Sequence, residues 1–102
     1  MKPTYSKDGY FQAILQLRPK NKEILDWIYK QLIKNNIKIG REVKRKEGID
    51  IYLSSKKFTL ALGKKLKKTF KGTTKVTKSL FTKNRLTSKK VYRITVCFRL
   101  NQ

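Results

Sequence analysis

Histidine is absent from this 102-residue chain, and cysteine occurs once, as Cys97. The first absence removes the commonest general base and the commonest nitrogen ligand for metals. The second excludes an internal disulfide and a cysteine-based zinc site. Cys97 falls in an alternating apolar pattern, where an inert, half-buried thiol is the ordinary state. No apolar run approaches the roughly 20 residues that a membrane-spanning helix needs. The opening Met1-Lys2-Pro3-Thr4-Tyr5-Ser6 lacks the apolar stretch of a signal peptide. The expectation is a soluble, cytoplasmic protein with no cofactor and no membrane contact. Carboxylates are the other scarce group, with six Asp and Glu against 27 Lys and Arg. Metal-assisted phosphoryl chemistry needs several carboxylates converging on one site. Asp8, Glu47 and Asp50 are thin material for a nuclease, so no catalytic activity is expected.

What is present in excess is positive charge, a formal +21, and it is unevenly spread. All six acids (Asp8, Glu23, Asp26, Glu42, Glu47, Asp50) lie in the first fifty residues, where twelve Lys and Arg leave +6. From Ile51 onward, fifteen Lys and Arg meet no acid at all, giving +15. Self-repulsion on this scale weakens a compact state unless a polyanion relieves it. Nucleic acid is the usual polyanion, because neutralising its phosphates releases condensed counterions. A thermophile's general bias towards charged residues would also enrich Glu, which is scarce here. Lysine outnumbers arginine 21 to 6. Lysine acts as a point charge rather than a planar fork, which favours contact with phosphate backbone and shape over base readout.

Hydrophobic residues make up 38% of the chain and recur periodically, as in a folded domain rather than a basic tail. Residues 1–8 read as a polar N-terminal arm, and residues 9–102 as a single α+β domain, monomeric when free. Tyr10 to Arg18 alternate, with Phe11, Ala13, Leu15 and Leu17 on a buried side and Tyr10, Gln12, Gln16 and Arg18 opposite. Asn21 caps a helix to about Asn35 with an Ile24, Ile28, Leu32 stripe, its edge sealed by Trp27. Ile37 to Lys46 is a charge-rich strand of the kind found at sheet edges. After the Glu47-Gly48 turn, Ile49, Ile51 and Leu53 alternate as another half-buried strand. Ser54 or Ser55 caps a second helix with Phe58, Ala61, Leu62 and Leu66 inward, closed by Gly72. Gly63 inside it costs about 1 kcal/mol relative to Ala and is expected where close packing needs it. Thr73 to Thr82 is β-prone, and Tyr92 to Leu100 show the clearest alternation in the chain. The order β-α-β-β-α-β-β predicts a ferredoxin-like antiparallel sheet with two helices packed on one face and an extra C-terminal strand. Pairing of that strand within the sheet and its projection as a finger are both open.

Three surfaces are candidates for nucleic-acid binding. Lys57, Lys64, Lys68 and Lys71 project within about 60° of one another at 100° per helical residue. The segment between the last two strands forms a basic hairpin tip with Lys83, Arg85, Lys89 and Lys90. The sheet face left open by the helices is expected to present Tyr10, Gln12, Gln16, Arg18, Tyr52, Arg93, Thr95 and Arg99. Exposed aromatics interleaved with arginine and amide groups can stack and hydrogen-bond splayed bases. The glycine-aromatic signature of RNA recognition motifs is missing, and this face is equally suited to pack on another domain.

Three segments carry a resemblance. Tyr10-Phe11-Gln12-Ala13-Ile14-Leu15-Gln16-Leu17-Arg18, Gly48-Ile49-Asp50-Ile51-Tyr52-Leu53-Ser54-Ser55 and Val91-Tyr92-Arg93-Ile94-Thr95-Val96-Cys97-Phe98-Arg99-Leu100 are similar, in order and spacing, to the nonsense-mediated mRNA decay protein 3 family. This is the family of large-ribosomal-subunit export adaptors, and the similarity is to its archaeal branch above all. The resemblance spans Tyr10 to Leu100. Family members carry paired Cys-x-x-Cys zinc ligands ahead of this region, and eukaryotic members add domains and export signals after it. With one cysteine, zinc binding is not implied here. The chain is a stand-alone version or an excised domain. What the resemblance implies is association with the large ribosomal subunit, with rRNA and ribosomal proteins as partners in biogenesis or quality control. The motif residues it points to are Gln16, Arg18, Asp50, Tyr52, Tyr92 and Arg93. The alternative is a general nucleic-acid binder, such as a small DNA-coating protein.

Overall fold

A computed structural model describes residues 3–7, 9–83 and 90–101. The expected element order is found: β1 (Ala13–Arg18), α1 (Lys22–Lys34), β2 (Ile39–Arg45), β3 (Gly48–Leu53), α2 (Lys56–Thr69), β4 (Gly72–Lys83) and β5 (Lys90–Leu100). Both helices begin at polar caps. The Asn21 side chain accepts the Ile24 N–H at 3.1 Å and the Ser55 hydroxyl accepts the Phe58 N–H at 3.1 Å, each satisfying a donor that the first helical turn leaves unpaired. Helix α1 ends at Asn35, and Asn36 takes a left-handed conformation (φ 56°) that asparagine tolerates better than most residues.

The strand order is β2-β3-β1-β5-β4, and the sheet is mixed rather than antiparallel. β1 runs antiparallel to β3 but parallel to β5; the β2–β3 and β4–β5 pairs are antiparallel. The extra C-terminal strand does not extend the edge of a ferredoxin-like sheet. It inserts between β1 and β4 and displaces β4 to the edge. Burial accounts for the arrangement: Ile94, Val96 and Phe98 of β5 are buried to 3% exposure or less, whereas Lys75, Val76, Thr77, Lys78 and Ser79 of β4 are all exposed. The strand with the apolar face takes the interior position, and the lysine-bearing strand takes the edge, where charge discourages pairing with other chains. Charge-rich β2 forms the opposite edge, as its composition implied.

One face of the sheet presents Ala13, Leu15, Leu17, Ile49, Ile51, Leu53, Ile94, Val96 and Phe98. These join Ile24, Ile28 and Leu32 of α1 and Leu62 and Leu66 of α2 in one core cluster, so both helices cover the same face. Trp27 of α1 meets Phe70 edge-on (ring centroids 5.6 Å apart), sealing the margin of that core. On α2 the inward residues are Thr59, Leu62, Gly63 and Leu66. Ala61, expected among them, is exposed. A Cβ at Gly63 would stand 2.8 Å from Cγ1 of Val96, so the glycine sets how closely α2 approaches β5.

The segment before β1 lies along the edge strand β2. The Ile39 N–H donates to Thr4 O (3.0 Å) and the Ser6 N–H to Ile39 O (2.7 Å). The hydroxyls of Tyr5 and of Tyr29 in α1 both donate to the Glu42 carboxylate. At the far edge, β4 and β5 have 12 and 11 residues, but β1 pairs only with Ile94–Arg99 of β5. Beyond Ile94 the two strands pair with each other alone, out to Lys83 opposite Lys90. The last strand therefore does both things the sequence left open: it pairs inside the sheet and then projects as half of a finger. The molecule is 46 Å long against 26 × 25 Å in cross-section.

Candidate nucleic-acid interface

Residues that pair across neighbouring strands point to the same side of a sheet, so the registers define the face that the helices leave uncovered. Ile14 is level with Tyr52 and Thr95, Tyr52 in turn with Arg41; Gln16 is level with Asp50 and Cys97; Arg18 is level with Arg99; Arg45 is opposite Gly48. Of the chain's six arginines, five (Arg18, Arg41, Arg45, Arg93 and Arg99) fall on this face. The sixth, Arg85, lies outside the described residues. From β4, the register places Lys75 opposite Cys97 on the same side. In a chain with more than three lysines per arginine, the face is arginine-rich.

Four side chains form a line across it. The Arg93 guanidinium lies over the Phe11 ring, 3.8 Å from its centroid. Phe11 meets Tyr52 edge-on, with centroids 4.7 Å apart and planes at 79°. Arg41 is above the Tyr52 ring at 5.8 Å. Cation–π attraction and edge-to-face packing hold such a row together. Phe11 is a correction to the alternation read from sequence, which put it on the buried side with Ala13. Regular β1 starts only at Ala13, and the chain bends at Gln12. Gln12, expected on the open face, turns instead to the start of α2: its Oε1 accepts the Lys56 N–H (3.1 Å), and its Nε2 donates to the Tyr10 hydroxyl (2.8 Å). An otherwise unpaired donor of the first turn of α2 thus takes Gln12 and Tyr10 away, and Phe11 occupies the open face in their place. A run that alternates on both sides of the bend carries no local signal of this.

Further along the face, Arg18 and Asp50 form a buried ion pair (2.6 Å; side chains 8% and 4% exposed), and Arg45 reaches the second Asp50 oxygen at 3.1 Å. Arg18 also donates to the carbonyls of Leu17 (3.1 Å) and Ile49 (3.3 Å). It lies across Gly48, where a Cβ would stand 1.9 Å from Leu17 O and 2.9 Å from the Arg18 Nη1. Arg18 was expected to contact nucleic acid. It is buried, and its guanidinium is engaged by one carboxylate and two carbonyls. The Asp50 carboxylate thus serves two arginines. Arg99 is exposed, while Tyr52 and Arg93 are half-buried. Tyr92 is on the helix side of β5, 38% exposed, and its carbonyl accepts the Lys56 ammonium at 3.2 Å.

The candidate lysines of α2 are elsewhere. Lys57, Lys64 and Lys68 are exposed on α2, on the side away from Leu62 and Leu66. Lys71 does not share that helical stripe. The helix ends at Thr69, Phe70 is extended, and Lys71 follows, its carbonyl accepting the Asn101 N–H (3.0 Å). Lys83 and Lys90 close the β4–β5 ladder, whereas Arg85 and Lys89 lie outside the described residues. The acid-free half of the sequence is also one side of the molecule: α2 packs on β5, β4 and β1, and β5 and β4 are adjacent at one end of the sheet. The acids described are on α1 (Glu23, Asp26), on β2 and β3 (Glu42, Asp50) and in the turn between those strands (Glu47). Among the described residues, no three Cys, Asp or Glu side chains gather as a metal site, and no helix is long and apolar enough to cross a membrane.

The family model for the second domain of NMD3 matches residues 10–100. No curated protein matches the chain. The match covers both helices, all five strands and every residue of the arginine–aromatic row. The chain belongs to the NMD3 family, and what it contains is that family's second domain.

Proposed function

We propose that this domain is a non-enzymatic, basic RNA-binding module that associates with the large ribosomal subunit in the cytoplasm, during biogenesis or quality control, and holds rRNA chiefly through phosphate contacts. One observation carries the reading. The fifteen Lys and Arg that follow Ile51 are not diluted by folding. Twelve of them belong to α2, β4 and β5, elements that adjoin one another on one side of the fold. A surface of that kind favours a polyanion and gives steep salt dependence. Membership of the NMD3 family supports the large subunit as the polyanion's source.

The test is equilibrium binding to a structured rRNA fragment and to a DNA duplex of equal length, each measured over a range of salt concentrations. The rRNA fragment is expected to bind more tightly at every salt concentration. Equal affinity for the duplex would replace this reading with that of a general DNA-coating protein. Replacing Lys57, Lys64 and Lys68 together by Gln should reduce the slope of log affinity against log salt by about two to three units. An unchanged slope would remove α2 from the contact surface.

A further inference from the structure

We infer that the open sheet face carries a clamp for an unpaired nucleobase of RNA, formed by Tyr52 and Arg41 and braced by Phe11 and Arg93. The inference rests on the RNA-binding reading and adds to it a second chemistry at a different place from the lysines of α2.

The choice of cation is the first argument. If this face served only to neutralise phosphate, lysine, the chain's prevailing base, would serve as well. Arginine stands here instead: Arg18 and Arg45 hold Asp50, and Arg41 and Arg93 lie over aromatic rings, where arginine adds a planar, weakly hydrated group that stacks. The second argument is division of labour within the row. Phe11 is already covered, with the Arg93 guanidinium 3.8 Å from its centroid and the edge of Tyr52 against it. It acts as a wall that fixes the tilt of Tyr52. Tyr52 is half-buried, and the group above it, Arg41, is exposed and stands 5.8 Å from the ring centroid. That separation, from the guanidinium carbon to the ring centroid, is longer than the roughly 3.5–4 Å of direct stacking contact, so Arg41 does not close the outer face of Tyr52. Arg41 is exposed, and displacement of its side chain makes room for one base, held between a phenol ring and a guanidinium. Arg41 is on the edge strand β2, two residues past Ile39, where the segment before β1 is hydrogen-bonded.

The third argument concerns what reads the base edge. Gln16 and Thr95 are half-buried on the same face, one rung from Tyr52 and level with it, respectively. Gln16, on the strand beside Tyr52, offers a donor and an acceptor to a base lying flat on that ring, and Thr95 lies one strand further, across Ile14. Bases within a duplex cannot reach such a slot, so the ligand class is single-stranded or looped-out RNA.

The experiment uses a short unstructured RNA carrying the fluorescent base 2-aminopurine, with an RNA duplex of the same length as control. Tyr52→Ala should weaken binding to the single strand roughly 5- to 150-fold, the range of one lost base stack. It should also abolish quenching of the fluorophore and leave the salt slope and duplex affinity unchanged. Tyr52→Phe retains the ring and is expected to bind as the parent does. Arg41→Lys keeps the charge at an exposed position where folding is not at stake, and it too should reduce single-strand affinity and quenching. Parental affinity and quenching in both Tyr52→Ala and Arg41→Lys overturns the clamp while leaving phosphate binding intact. Absence of any RNA binding by the parent chain overturns both readings. Loss in Tyr52→Ala with parental behaviour in Arg41→Lys also overturns it, since charge alone would then account for Arg41.

Discussion

Asp50→Asn is expected to destabilise the domain by about 3 kcal/mol, although it changes neither the size nor the shape of the side chain. Asp50 is 3% exposed, and its carboxylate holds Arg18 at 2.6 Å and Arg45 at 3.1 Å. The amide can accept one of these bonds but cannot balance the Arg18 guanidinium, whose side chain is only 8% exposed. Removing one partner of a buried ion pair typically costs about 3–5 kcal/mol, because the remaining charge is stranded away from water. Arg18 keeps its bonds to the carbonyls of Leu17 and Ile49, which places the loss at the lower end of that range. Arg45 has a 47% exposed side chain, so Arg45→Gln should cost under about 1 kcal/mol. For a domain of about 100 residues, 3 kcal/mol corresponds to a melting temperature roughly 12–24 °C lower. Urea denaturation followed by far-ultraviolet circular dichroism, with thermal melts alongside, measures all three proteins. Adding Arg18→Met to Asp50→Asn removes the stranded charge and should restore part of the loss. A cost below about 1 kcal/mol for Asp50→Asn, or strict additivity in the double variant, would refute the account of Asp50 as the counter-ion of a buried arginine.

Gly63→Ala sets two effects against each other: about 1 kcal/mol gained in helix propensity and about 1–3 kcal/mol lost to overpacking, since the new methyl would stand 2.8 Å from Cγ1 of Val96. A lower urea midpoint is expected, and a raised one would show that α2 shifts off β5 without penalty. Tyr29 is held protonated above the ordinary tyrosine range, first by burial and then by the nearby Asp26 carboxylate. Because the folded state retains a proton that the unfolded chain releases near pH 10, this contribution is complete below pH 10 and disappears as pH rises through the folded pKa. Alkaline titration of phenolate absorbance should lose its latest component in Tyr29→Phe; an unaltered profile contradicts the assignment.

The periodicities of the sequence sufficed for the elements and for most of the core, because burial on one face leaves a period of two or 3.6 that needs no knowledge of neighbours. Strand order is a different kind of information. Alternation in β5 shows that one face is buried, but the same pattern serves an edge strand or an interior one. The contrast between Ile94, Val96 and Phe98 on one strand and Lys75, Thr77 and Lys78 on the next becomes decisive only when the two compete for a place beside β1. Lys71 falls outside the helical stripe for a related reason. The 100° step was extended past Thr69, where Phe70 turns extended to meet Trp27. Arg18 shows the limit for charge: an arginine at a strand end reads as solvent-facing until its partner, 32 residues away, is seen to be buried with it.

Phe11 and Arg41 were both missed as members of the candidate site, and their positions have one consequence in common. Phe11 reaches the open face through the bend at Gln12, and Arg41 through a register shift of β2 on β3 between Ile39 and Arg41. Each irregularity reverses the parity of a side chain at one end of a strand, and a one-residue change is sufficient because side chains alternate with period two. Had both strands been regular, Phe11 would have joined the core and Arg41 the helix side, leaving Tyr52 flanked by Ile14 alone along its rung. The arginine–aromatic row therefore arises from two local departures from regular pairing, at places where regular pairing would have been the simpler way to close the sheet. Departures of this sort recur where a sheet re-aims side chains towards a ligand, and here both re-aim towards the same ring, Tyr52.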